Sequence, residues 1–121
     1  MITILLVDDL ATTRRGLRMA LDLEPDLAVV GEAGDGVQAL ELIDRLTPDM
    51  VVVDAAMPRM DGMELLAVLL GRGVDIGSVV LSIHDDPVTR ARAKEAGADR
   101  FVGKHEGFAV LVAAIRAVGR R

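Results

Sequence analysis

Cysteine, tryptophan and tyrosine are absent from this chain, and phenylalanine occurs only at Phe101 and Phe108. Without cysteine there is no disulfide, no thiolate metal site and no thiol nucleophile. With so few aromatics the core must be aliphatic, and apolar residues fill 51% of the 121 positions. No apolar run approaches the ~20 residues that span a bilayer as a helix. The stretch from Met1 to Val7 is apolar, but it has no basic lead and meets Asp8-Asp9 too soon for a secretion signal. Positive charge is also in short supply. The formal net charge is −5 and the basic residues are scattered, which argues against this chain gripping nucleic acid by itself. These absences leave a soluble cytoplasmic protein as the expectation. Its length is that of one domain able to bury a core without staples.

What is present centres on Met50-Val51-Val52-Val53-Asp54. Four apolar residues with no polar alternation read as a strand buried on both faces. Pro58 and Asp61-Gly62 mark the loop that leaves it. Asp54 therefore stands at the carboxyl end of a central strand, where open α/β sheets bind ligands.

The rest of the chain alternates in the same way. Ile2 to Val7 reads as a first strand ended by Asp8-Asp9. Leu10 to Leu23 has helical spacing, with Leu17, Ala20 and Leu21 on its inner face, and Pro25-Asp26 stops it. Leu27 to Glu32 is a second strand. Asp35 caps a second helix marked by Val37, Leu40, Ile43 and Leu46 and closed by Thr47-Pro48. Asp61 and Glu64 have capping-box spacing before a third helix that Gly71 and Gly73 end. Val79 to Ser82 is a fourth strand. Asp86-Pro87 opens a fourth helix with mostly alanine to bury, and Gly97 stops it. Arg100 to Val102 is a fifth strand. Phe108, Leu111, Val112, Ile115 and Val118 form the inner stripe of a last helix. Five strand–helix alternations predict a parallel sheet covered on both faces and joined by right-handed crossovers. No repeat or inner domain boundary interrupts residues 1–121. Val118 to Arg121 reads as a chain end or the start of a linker.

The strand ends carry the chemistry. Asp8-Asp9, Glu32, Asp54, Ser82 and Lys104 all fall on the carboxyl edge. In the doubly wound order 2-1-3-4-5, strands one and three are neighbours at the switch point, with four and five beside them. Three carboxylates there repel. At an effective dielectric near 20, two charges 4 Å apart cost roughly 4 kcal/mol. A hard cation relieves this, and carboxylate oxygens with room for water suit Mg²⁺. Asp54 is then a candidate nucleophile for an aspartyl-phosphate. Lys104 can pair with the phosphoryl group as a point charge, and Ser82 can donate a hydrogen bond to it.

Val7-Asp8-Asp9, Asp54 to Gly62, Leu81-Ser82 and Gly97 to Lys104 together resemble the receiver domain of bacterial response regulators over essentially the whole chain. That resemblance implies a flavodoxin-like α/β fold: a five-stranded parallel sheet in order 2-1-3-4-5 with five helices on both faces. It implies that a sensor histidine kinase phosphorylates Asp54. It implies Mg²⁺ held by Asp8, Asp9 and Asp54 with the Ala56 carbonyl, and a switch pair formed by Ser82 and Phe101. The Lys104-His105-Glu106-Gly107-Phe108 segment is most similar to the NarL/LuxR-type subclass. Its members usually act on promoter DNA through a C-terminal helix-turn-helix, which lies outside these 121 residues. A homodimer formed on phosphorylation fits that picture.

The chain also departs from the family pattern. His105 stands where a proline, usually cis, often follows the lysine, so no cis-proline is expected. Ile83 replaces a smaller residue and is expected to crowd the inward path of Phe101. Ala56 and His84 occupy positions whose variation is thought to tune phosphoryl lifetime. Bland roles compete for several residues taken singly. Asp8-Asp9 and Asp61 could be helix caps, Lys104 a solvated lysine, Phe101 a core ring, His84 a loop histidine and Asp85-Asp86 a solvated helix start. At the level of the whole chain, a phospho-switch competes with a Mg²⁺ phosphohydrolase and a binding-only adaptor. The hydrolase of haloacid-dehalogenase type needs a second acid two residues after the nucleophile, and Ala56 stands there. The adaptor leaves the full acid, hydroxyl and lysine set without a purpose.

Overall fold

Uninterrupted branched residues force the central strands into a sheet with no wet face. In the computed structural model, which describes residues 1–119, they form one all-parallel sheet in the order β2-β1-β3-β4-β5. The strands are β1 Ile2–Val7, β2 Leu27–Ala33, β3 Met50–Asp54, β4 Gly77–Ser82 and β5 Arg100–Gly103. The helices between and after them are α1 Ala11–Asp22, α2 Gly36–Leu46, α3 Gly62–Gly71, α4 Pro87–Glu95 and α5 Phe108–Gly119. A single 3₁₀ turn, Lys104–Glu106, joins β5 to α5. Arg120 and Arg121, in the segment read as a chain end or linker, lie outside the described residues.

Strand alternation splits the core in two. Ile4, Leu6, Met50, Val52, Val79 and Leu81 point to the face covered by α1 and α5, where Leu21, Leu111 and Ile115 meet them. Leu5, Val7, Val51, Val53 and Val80 point to the face covered by α2, α3 and α4. The crossovers thus cover both faces, as a parallel sheet requires.

Local chemistry fixes where the helices begin. The Asp35, Asp61 and Asp86 side chains accept from the N–H groups of Gln38, Glu64 and Thr89, at 2.9, 2.9 and 2.8 Å. Each satisfies a donor that a helix start leaves free. Asp86 also accepts from the Thr89 hydroxyl, and Pro87 fills the first helical position. α1 starts at Ala11, with Leu10 as a cap residue that makes no side-chain bond. Instead Asp8 Oδ1 accepts the Leu10 N–H at 2.9 Å.

One residue of α5 differs from the sequence reading. Phe108, expected in the inner stripe, is the first residue of α5 and is 38% exposed. α4 has little to bury, as its alanine-rich sequence led us to expect, and is held more weakly than its neighbours. Within it only Ala93 is buried, and Val88 is 69% exposed. The peptide bonds of the described residues include no cis bond.

Candidate functional site

The register puts the strand ends side by side. Val7 pairs with Val53, Asp54 with Leu81, and Ser82 with Gly103. Asp8, Asp54, Ser82 and Lys104 therefore meet on the carboxyl rim. Lys104 Nζ lies 3.2 Å from Asp54 Oδ2 and 3.7 Å from Asp8 Oδ2. Asp8, Asp9 and Asp54 each present an oxygen within 4.8 Å of the other two. Asp8 is 3% exposed, Asp54 is half-buried and Asp9 is open to solvent.

The environment of Asp54 works against its charge. Partial burial is the largest influence and pushes its carboxyl above the ordinary range, with the Asp8 charge adding to the rise. The Ala56 N–H, donating to Asp54 Oδ1 at 3.1 Å, and the Lys104 ammonium oppose it. A carboxylate so placed gains from any positive charge that arrives beside it. Three carboxylates with solvent access form an all-oxygen, negatively charged donor set, the chemistry a hard divalent cation takes. The residues present therefore fit Mg²⁺. The exposed Ala56 peptide stands two residues beyond Asp54 on the same rim.

Ser82 is 2% exposed, and its Oγ accepts the His84 N–H at 3.0 Å. The hydroxyl is thus engaged with its own loop. Phe101, one strand over, is half-buried, and the Arg90 guanidinium carbon sits 4.6 Å from its ring centroid. Ile83, expected to crowd the ring's path, is instead 70% exposed, with its bulk toward solvent. His84 is exposed.

Glu32 reaches the same edge but stays out of the acidic cluster. Its carboxylate takes Arg14 Nε at 2.9 Å and Arg18 Nη1 at 2.7 Å. Arg14 Nη1 in turn donates to the Asp8 carbonyl at 2.5 Å. Sequence reasoning named Glu32 without its partners. The four-residue spacing of Arg14 and Arg18 on one helix face was the available signal. A second missed pair is Arg59 with Asp35. Arg59 Nε donates to Asp35 Oδ2 at 3.0 Å, and Arg59 holds left-handed backbone at φ 64°. Met60 O accepts the Gly36 N–H at 2.9 Å. These contacts fasten the loop after Asp54 to the start of α2. No sequence spacing announces them. Asp85, read as part of a solvated helix start, pairs with Arg90 and lies 3.5 Å from His105 Nε2.

Fold and site together define a doubly wound α/β domain with an acidic, lysine-capped pocket at its switch point. Residues 4–116 match the family described as response regulator receiver domain, and the chain belongs to that family. It is 38% identical over 114 residues to the nitrate/nitrite response regulator protein NarP of Escherichia coli (strain K12), covering 94% of this chain and 53% of that protein. It is 33% identical over 119 residues to the transcriptional regulatory protein DegU of Brevibacillus brevis, covering 98% of this chain and 50% of that protein. Among solved structures, a two-component response regulator of the LuxR family from Aurantimonas sp. SI85-9A1 superposes with a TM-score of 0.93 at 34% identity. That match covers 98% of this chain and 84% of the other. The chain spans about half the length of the curated relatives it matches. The likeness is to NarL/LuxR-type receivers, and no helix among the described residues is long and apolar enough to cross a membrane.

Proposed function

We propose that residues 1–121 are a cytoplasmic receiver domain whose Asp54 takes a phosphoryl group from a phosphohistidine of a sensor histidine kinase. The observation that carries this is the half-buried Asp54 carboxylate flanked by Asp8 and Asp9, with Lys104 Nζ at 3.2 Å. An Asp54 oxygen attacks phosphorus in line. The bond from phosphorus to the donor's imidazole nitrogen breaks, and that nitrogen takes up a proton. Asp8, Asp9, Asp54 and the Ala56 carbonyl would hold Mg²⁺, which supplies positive charge to the phosphoryl oxygens. Lys104 shifts its ion pair from the carboxylate to the new group. Ser82 gives up the His84 N–H and donates its hydroxyl to a phosphoryl oxygen. Phe101 turns into the space beside it.

Ala56 stands two residues after Asp54, where a phosphohydrolase of haloacid-dehalogenase type carries the acid that drives turnover. This favours a switch with slow self-dephosphorylation over a phosphohydrolase. The outputs we propose are pairing with a second copy and control of transcription through a DNA-binding segment outside this chain. The similarity to the response regulator protein NarP and the transcriptional regulatory protein DegU supports that reading. The test is incubation with acetyl phosphate and Mg²⁺, followed by intact-mass measurement. One phosphoryl group should appear on the wild type and none on Asp54→Asn. Labelling of both would move the nucleophile elsewhere, and continuous release of phosphate from a generic phosphomonoester would make the protein an enzyme.

A further inference from the structure

The weakly held α4 carries one residue with several attachments. Arg90 roofs the Phe101 ring at 4.6 Å from guanidinium carbon to centroid. Its Nε pairs with Asp85, and its Nη2 lies 3.7 Å from Glu106 Oε2. Glu106 is itself tied to β5, accepting the Gly103 N–H at 2.7 Å. Asp85 also lies 3.5 Å from His105 Nε2. A single guanidinium thus bridges the loop after β4, the 3₁₀ turn after β5 and the face of Phe101.

The same loop begins at Ser82. The Ser82 hydroxyl accepts from His84, and Asp85 is the next residue. Any motion that withdraws this hydroxyl toward Asp54 pulls on the loop bearing Asp85, and through Asp85 on Arg90. A cation over a ring face favours keeping the ring where it is, and a chain of packed, bonded groups is what can carry such a bias. We propose that Arg90 is a positioning residue that holds Phe101 at its resting place, and that Asp85 links its release to Ser82. This deepens the proposed switch and rests on it. Arg90 retards inward turning of the ring until the loop moves.

The composition makes this measurable, because Phe101 and Phe108 are the only aromatic rings besides the two histidines. With ring-labelled phenylalanine, NMR gives two ring spectra, assigned with Phe108→Leu. They are recorded with Mg²⁺ before and after acetyl phosphate. In Arg90→Ala, the Phe101 signal of the unphosphorylated protein should move part way toward its phosphorylated wild-type position. The shift corresponds to about a two- to five-fold rise in the inward population, the effect of an exposed cation over a ring. Asp85→Asn should move it in the same direction. Arg90→Lys, which keeps the cation, should fall between. If Arg90→Ala leaves the signal at the wild-type position while phosphorylation moves it in the wild type, the latch is refuted and the switch stands. If phosphorylation leaves the wild-type signal in place, the switch reading falls and takes the latch with it.

Discussion

A β-carbon on Gly62 would stand 2.3 Å from the Asp54 carbonyl oxygen and 3.0 Å from Val53 Cγ2. The first turn of α3 therefore packs directly on the backbone of the phosphoacceptor candidate, and only glycine permits that approach. The obstructing atom is main chain and cannot swing aside.

Gly62→Ala must displace α3 or the end of β3. Overpacking of this kind costs roughly 1–3 kcal/mol. Denaturant titration should show that loss in the midpoint. Acetyl phosphate labelling of the variant, at a temperature where it remains folded, should be slower than in the wild type. An unchanged midpoint would mean that α3 moves freely, and would contradict the tight packing of Leu65, Leu66 and Leu69.

Lys104 is the cation against Asp54, and its removal leaves the carboxylate with burial and Asp8 pressing on it. Lys104→Met keeps the stem and deletes the charge. Loss of one stabiliser of developing charge costs on the order of a hundredfold in rate. Phosphoryl uptake from acetyl phosphate at neutral pH should fall by about that factor. Uptake at the wild-type rate would place Lys104 outside the chemistry.

The convergence of strand ends at one rim was legible because each strand announces its end, as an apolar run that meets a polar residue at Asp8, Asp54 or Ser82. The helix starts were legible through Asp35, Asp61 and Asp86, whose side chains act within three residues. The pairs Asp35 with Arg59 and Arg90 with Phe101 were not legible. They join different elements, and packing rather than spacing decides them. Phe108 was misread for a related reason. It matches the period of α5, but it is that helix's first residue, preceded by Gly107 at φ 95°. Periodicity says which face a residue lies on, not whether a neighbour reaches far enough to cover it.

Glu32 gathers two arginines, and its carboxyl is held below the ordinary range, chiefly by the Arg18 hydrogen bond. A lowered folded-state value means that its stabilisation is fully present above the unfolded value. It is lost as pH falls through the folded one. Glu32→Gln should cost about 1 kcal/mol at pH 7, the upper end for such partly exposed pairs. The gap between variant and wild type should close at acid pH, once the carboxyl is protonated in the folded as well as the unfolded state. Chemical denaturation at the two pH values checks this. A gap of equal size at both would assign the loss to packing.

Asp54 has the opposite sign. Its folded-state carboxyl is raised, first by burial, with the Asp8 charge pushing in the same direction. The neutral form therefore suits the fold better than the charged one. The carboxyl's contribution to stability is present below the unfolded value and is lost as pH rises through the folded one. In EDTA at pH 7, Asp54→Asn removes that charge while Lys104 keeps Asp8 at 3.7 Å. The variant should be more stable than the wild type, because burial and the Asp8 charge no longer press on a charged group there. The gain should shrink as pH falls through the carboxyl range, where the wild-type side chain becomes neutral as well. If the folded carboxylates hold Mg²⁺ as proposed, added Mg²⁺ should reverse the order by stabilising the wild type, since a ligand of the folded state alone favours that state. Melting curves at pH 7 and pH 4, with EDTA and with Mg²⁺, test all three statements. An asparagine variant that melts clearly lower than the wild type in EDTA at pH 7 would mean that the acids on this rim do not strain the fold, and that Lys104 already neutralises them.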